Sequence, residues 1–473
     1  MKHSVKNELS NKELRQLLIS GSDERSIILP ETGKNKYFID PVDHEGLLCR
    51  GSCTCNFLNE PSEEAVRKTY QVYQAKGYET VLSHQLERLY ALLSKNYFNE
   101  YDILIAPSGS DLAYIPLLIA DILHHGKKIT SIVTCPEELG SGSRLAMMGQ
   151  YFYQKNQFGE EVQKGAQVFE HLKIRLHSFS ARKKNGEIAN YDEDILTLMR
   201  NSKDEAILGH LVVGSKSGIE DNLDIIPEAP KEVIWTVDLC QLRNSSSLIH
   251  KLLDRNCMIM ITGSKFYQAP PFCGVMLIPK SISEKVAAYR GPIDPGFTRL
   301  FSRLNLPFSW SHLRTYFKPD ENLGLLLRWE AAISEMEALD RIPSDVSQNM
   351  IDKWHDVVRE EIARHEALEL MPHQEHTNNS IISFRVKRNG TFLNYDELKE
   401  LYARCCLRTH DGMFNEYNRF TIGQPVKYGE RAFLRVAIGS FDIRKLIEKE
   451  DFRNDLFIIQ RIVALSQEAV PHV

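Results

Sequence analysis

Residues 234–279 read IWTVDLCQLRNSSSLIHKLLDRNCMIMITGSKFYQAPPFCGVMLIP, and the fold is read outward from them. An apolar run carries Asp238 to a strand end, with Gln241 just beyond it. A short helical segment is expected over Ser247–Asp254. A second apolar run, CMIMITG, then delivers Ser264 and Lys265 to a loop, and a third, GVMLIP, leaves it. Short apolar runs separated by helical segments predict an α/β sheet. An acid and a lysine at neighbouring strand ends then sit at the carboxyl edge, where such sheets bind ligands.

Two further motifs lie outside this stretch. The apolar strand Tyr101–Ala106 runs into PSGSD and an expected helix, Leu112–His124. Ser108, Gly109 and Ser110 there form a turn whose backbone N–H groups can converge on an anion. A serine at that place also suits a plain helix cap. Near the C-terminus, FLRVAIGS puts Arg435 on an expected strand, Phe433–Gly439. A guanidinium fork can donate two parallel hydrogen bonds to a carboxylate.

The order of these motifs resembles the fold-type I pyridoxal phosphate (PLP) enzymes of the class V aminotransferase and cysteine desulfurase family. Their pattern has a serine–glycine–threonine turn, an Asp with a Gln or His after it, a lysine roughly 20–30 residues later, and a terminal arginine. The resemblance implies an α/β PLP-transferase type I fold. It has a large domain with a mainly parallel seven-stranded sheet and a small C-terminal α+β domain. It implies pyridoxal 5'-phosphate as cofactor, with Lys265 as the Schiff-base lysine and Asp238 beside the ring nitrogen. Cofactor contacts are expected from Ser108, Gly109, Ser110, Ser215, Gln241, Thr262 and Ser264. Ser215 enters because GSKSGIEDN, after the strand Ala206–Val213, stands where the family has Ser-Asn-x-x-Gly; Ser217 and Gly218 belong to the same turn. Arg435, and more weakly Arg408, are the expected substrate-carboxylate ligands. A homodimer is implied too, with Thr298 as a weak candidate for reaching the partner's phosphate site. One departure stands out. After the strand Ile129–Thr134 the family usually places a ring-stacking His, and here Glu137, Glu138 or Leu139 is nearest by order.

Composition narrows the field. The chain has 473 residues, 42% hydrophobic and 26% charged, with a formal net charge of -5. That is ordinary for a globular protein of two or three lobes, and nothing in it asks for nucleic acid. No apolar run approaches the roughly 20 residues of a membrane span, and MKHSVKNELSNKELRQLL lacks a signal core. A cytoplasmic protein is expected. Among nine cysteines only Cys49, Cys53 and Cys55 cluster, without a second Cys or His pair, so no metal is expected.

The chain divides by pattern into an N-terminal arm, 1–60, a PLP-binding large domain, 61–320, and a small domain, 321–473. The arm carries a helix, Lys12–Ile19, and a strand around Tyr37–Asp40. Helices are expected over Glu63–Ala75, His84–Tyr97, Leu323–Leu339, Asp345–Leu368, Asn394–Cys406 and, as one long final helix, Ile443–Gln467.

The expected activity is that of a PLP-dependent transferase acting on an amino acid, foremost an aminotransferase. Desulfurases need a mobile cysteine, which in one subgroup precedes Gln-Pro. Here Gln424–Pro425 is present, but Ile422 holds the aligned position, and Cys405 and Cys406 sit on an expected helix end. A PLP lyase (desulfurase-like, decarboxylating, β-eliminating or carbon–carbon bond-forming) stays open. So does a non-catalytic binder with the same fold. A nucleotide-binding protein using PSGSD would lack both a Walker lysine and GxGxxG.

Overall fold

The computed structural model describes residues 9–44, 46–51, 56–95, 100–140, 142–241, 246–373, 379–407 and 419–468. Eight strands come from the first part of the chain. They are β1 (Leu48–Arg50), β2 (Tyr101–Ala106), β3 (Ile129–Thr134), β4 (Ile174–Phe179), β5 (Ala206–Val212), β6 (Ile234–Asp238), β7 (Met258–Thr262) and β8 (Gly274–Pro279). The C-terminal part adds β9 (Leu368–Leu370), β10 (Ile381–Arg388), β11 (Thr391–Phe392), β12 (Phe420–Tyr428) and β13 (Arg431–Ala437).

Seven of these form one sheet in the order β2-β8-β7-β6-β5-β3-β4. From β4 to β7 every pairing is parallel, and β8 runs antiparallel to both β7 and β2. The carboxyl ends of β2, β5, β6 and β7 therefore share one edge. Strands β3, β5, β6, β7 and β8 are buried along their whole length, which explains why apolar residues dominate them on both faces. Successive side chains serve opposite faces. Ile103 and Ile105 of β2 join a core with Leu89, Leu325 and Trp329 from the covering helices, while Leu104 and Ala106 join one with Leu118, Phe297 and Trp310.

The second sheet runs β1-β12-β13-β10-β11, with β9 also on β10. It packs on the helices Ser344–Ala363 and Arg453–Gln467 around Trp354, Phe384 and Ile459. Its edge strand, β1, comes from the N-terminal arm and pairs parallel to β12, Leu48 facing Phe420. Arg50 at the end of β1 is buried against two acids, Asp442 at 3.0 Å and Asp455 at 2.5 Å. Trp354 Nε1 donates to the same Asp455 at 2.6 Å.

The structure corrects several element readings. Tyr37–Asp40 is a turn: the Asn35 side chain accepts the N–H groups of Tyr37 and Ile39, and Phe38 sits at φ 60°. Asn favours such local bonding over a strand ladder. The helix read as Leu112–His124 is two pieces, Gly109–Leu112 and Ile115–Leu123, with Pro116 in the first turn of the second. The long final helix is also two, Ser440–Glu448 and Arg453–Gln467. Asp451 accepts the N–H of Arg453 at 3.2 Å and starts the second. The helix read to Leu368 stops at Ala363, and Leu368 opens β9 against β10. Among the described residues no helix is long and apolar enough to cross a membrane.

Candidate active site

A cavity of about 580 Å³ opens at the carboxyl edge of the seven-stranded sheet. Ser108, Gly109 and Ser110 reach it after β2, Asp238 and Gln241 from the end of β6, and Thr262, Ser264 and Lys265 from the end of β7. Arg435 on β13 and Gln424–Pro425 on β12 close it from the second sheet. Residues far apart in the sequence thus face one space. Ser215 is turned elsewhere: its hydroxyl donates to buried Glu138, and the next residue, Lys216, lines the cavity instead. Arg408, Cys53 and Cys55 lie outside the described residues. Thr298 is half-buried and donates to Pro295 O.

Asp238 is buried, and its Oδ1 accepts the N–H of Cys240 at 2.7 Å. On β5, His210 presents Nε2 at 3.9 Å from Oδ2. Burial pushes the carboxyl up, but His210, the Lys265 charge and the Cys240 side chain outweigh it and bring it down to about 2. Asp238 is therefore a stable anion, fit to hold a positive charge beside it.

Lys265 is held by its backbone. Asn56 Nδ2 donates to Ser264 O at 2.8 Å and to Lys265 O at 3.3 Å. On the far side Phe266 is buried in the C-terminal core, and its carbonyl accepts from Ser440 N at 2.8 Å. Gln268 Oε1 accepts from Phe441 N at 3.0 Å, so both the arm and the C-terminal unit pin the lysine turn. Among the described residues the Lys265 amine itself has no hydrogen bond or ion pair.

At the PSGSD turn, Ser108 does cap the short helix: its Oγ accepts from Asp111 N at 3.3 Å and donates to Asp111 Oδ2 at 2.6 Å. Close approach explains the glycines. A Cβ on Gly109 would stand 2.9 Å from Cys240 Sγ, and one on Gly274 would stand 2.9 Å from the Ser108 backbone. The loop after β3 brings Gly140 and Ser143 to the cavity rather than Glu137, Glu138 or Leu139. Glu138 is spent on Ser215, Ser217 and Arg182.

Arg435 is 1% exposed, and its Nη1 donates to Gln424 O. Its Nε is buried without a hydrogen bond, and no carboxylate pairs with it among the described residues. Gly423 makes room for it, since a Cβ there would fall 2.2 Å from Arg435 Cγ. An arginine so placed, with donors to spare, can take an incoming carboxylate.

The fold is shared with known structures over most of this chain. A phosphoserine aminotransferase (SerC) from Cytophaga hutchinsonii superposes at TM-score 0.53 and 13% identity, covering 85% of this chain and 98% of that one. A ureidoglycine–glyoxylate aminotransferase from Bacillus subtilis gives 0.55 and 12%, covering 88% and 92%. A NifS-like protein from Rickettsia africae gives 0.55 and 10%, covering 89% and 99%. The chain has the type I fold of PLP enzymes. No family model matches the sequence, and no curated protein matches it. Within the type I fold, the N-terminal segment contributes more here than its sequence announced: Arg25, Lys36, Tyr37 and Phe38 all line the cavity. Tyr395, Lys399 and Tyr402 line it from the helix Tyr395–Cys406. His210, a lone polar residue inside AILGHLV, was the one readable signal among those missed.

Proposed function

We propose that this chain is a PLP-dependent enzyme acting on an amino acid, with transamination as its reaction. The observation that carries this reading is the meeting of Asp238, Lys265 and the Ser108–Ser110 turn in one cavity. The residues present fit the cofactor. A buried anion suits a ring nitrogen, an uncommitted amine suits an aldehyde, and a turn kept open by glycines suits a phosphate. Bound there, PLP would supply an electron-poor ring that stabilises charge at the substrate Cα.

The chain's own residues do the rest. Asp238 holds the positive charge of the ring nitrogen, and Gln241 is the expected partner of the ring hydroxyl. Lys265 carries a proton to and from Cα, a role its otherwise uncommitted amine permits. Arg435 fixes the substrate carboxylate and thereby chooses which Cα bond faces the ring. Domains at 61–320 and 321–473, and a homodimer, belong to the same proposal.

Thiol chemistry supports transamination over sulfur transfer. Ile422 is fully buried on β12, and Cys405 and Cys406 are buried in the C-terminal core. Burial pushes the Cys405 thiol up to about 12. Cys240 lines the cavity, but burial and the neighbouring Asp238 push its thiol well up. Neither is a ready nucleophile. A non-catalytic binder remains a second reading, favoured by the loop that offers Gly140 and Ser143 in place of a stacking ring.

The test is covalent. The protein is incubated with PLP, reduced with borohydride and peptide-mapped beside Lys265→Ala. Fixation at Lys265 in the wild type supports the cofactor reading, and fixation elsewhere or nowhere refutes it. Keto-acid formation from amino acids then separates an aminotransferase from a binder, and CO₂ or sulfide release would point to a lyase.

A further inference from the structure

Arg25 lies in a short turn, Glu24–Ser26, and is 8% exposed. The Asp23 carboxylate takes two of its donors, Nε at 2.7 Å and Nη2 at 2.6 Å. The guanidinium carbon lies 4.4 Å from the ring centroid of Phe272 and 5.2 Å from that of Phe152. Clamp and rings fix the group in one pose. Nη1 is left over: it makes no hydrogen bond among the described residues, it remains open to solvent, and the residue lines the cavity. A rigid guanidinium with one spare donor is preorganised for an anion.

Its surroundings say which end of the cavity that anion occupies. The Arg25 charge acts on Asp111, whose carboxylate bonds Ser108 of the PSGSD turn. Phe272 precedes Gly274 by two residues, and Gly274 packs on the Ser108 backbone. Lys36 lines the same cavity and has no ion pair among the described residues. Asp111 cancels these cations only in part near neutral pH, because burial pushes it up to about 7.

We propose that Arg25 donates Nη1 to the phosphate of the cofactor, so that the N-terminal segment is part of the cofactor site. This rests on the PLP reading above. The alternative is a brace whose only business is Asp23 and the two rings.

Chemical labelling tests it on the intact wild-type protein. Phenylglyoxal modifies accessible guanidinium groups, and peptide mapping reports Arg25. Labelling should occur without ligand and fall on adding PLP or inorganic phosphate, while pyridoxal, which has no phosphate, should protect far less. No labelling without ligand, equal protection by pyridoxal, or protection by inorganic phosphate only after PLP is loaded each overturns the proposal. Arg25→Gln adds a second readout: about 10- to 100-fold weaker binding of PLP with pyridoxal binding unchanged. Should Arg25 prove indifferent while borohydride still fixes PLP on Lys265, this inference alone falls. Should PLP not be fixed at all, the cofactor reading falls, and the inorganic phosphate arm still decides whether Arg25 binds an anion.

Discussion

His210 Nε2 stands 3.9 Å from Asp238 Oδ2, diagonally across the β5–β6 ladder. The Asp238 carboxyl sits at about 2 against an ordinary 3.8. A depressed acid contributes stability that is full above its unfolded value and is lost as pH falls through its folded one. The window is therefore about pH 4 down to 2. In His210→Phe the folded value should rise toward 3.8, costing on the order of 1 kcal/mol at neutral pH and flattening the acid limb. Urea unfolding from pH 2 to 7 measures this, and an unchanged acid limb would remove His210 from the account.

Asp111 has the opposite sign. Burial raises it from 3.8 to about 7. Its contribution is full below about 3.8 and is lost as pH rises through about 7, where the buried carboxylate ionises. Asp111→Asn keeps an oxygen for the Ser108 hydroxyl and removes the ionisation. The variant's gain in stability over the wild type should be larger at about pH 8.5 than at about pH 4, by roughly 1 kcal/mol or more. Thermal unfolding at the two pH values decides it, and a pH-independent difference would contradict the raised value.

The glycines around the turn should not accept a methyl. Gly109→Ala meets Cys240 Sγ, a side chain that can move, and Gly274→Ala meets the Ser108 backbone, which cannot. Overpacking of this kind costs about 1–3 kcal/mol. We expect Gly274→Ala to be the worse of the two, in melting temperature and in PLP uptake alike. A Gly274→Ala protein with wild-type uptake would show that the turn has more room than its contacts imply.

Asn56→Ala removes two donors from the carbonyls of the lysine turn, at 2.8 and 3.3 Å. Leaving those buried acceptors unpaired should cost about 1–3 kcal/mol. Because the turn carries Lys265, the pH dependence of borohydride fixation should move as well. Lost stability with an unmoved fixation profile would make Asn56 a brace and nothing more.

How much of this was legible follows from where the information lies. Asp238, Gln241, Thr262 and Lys265 could be read because β6 and β7 are covered on both faces, so their apolar sequences mark the strands and leave the polar ends conspicuous. The Ser108–Ser110 turn was legible for the same reason. Arg25 and Asn56 were not: the rings that flank Arg25 and the carbonyls that Asn56 holds come from more than a hundred residues away, and neither residue sits in a periodic pattern. The Tyr37–Asp40 strand was misread because an apolar pair hid the turn that Asn35 imposes. Ser215 was placed by motif order alone, and Glu138, across the sheet edge, takes its hydroxyl.

The pairing of β1 with β12 has a consequence for how the chain is made. Arg50 and its partner Asp455 are 405 residues apart. At synthesis rates of about 5–20 residues per second, the early segment leaves the ribosome roughly 20–80 seconds before its acid exists. Until β12 and Asp442 follow, late in that interval, β1 is an unpaired edge and Arg50 an uncompensated charge. The large sheet can close first, but the lysine turn, pinned through Asn56 on one side and Ser440 on the other, gains its final constraints only when the last helices emerge. Loop-closure entropy makes this the slow part of assembly. Translation that stops short of Asp455 would release chains with a formed sheet and an unfinished site.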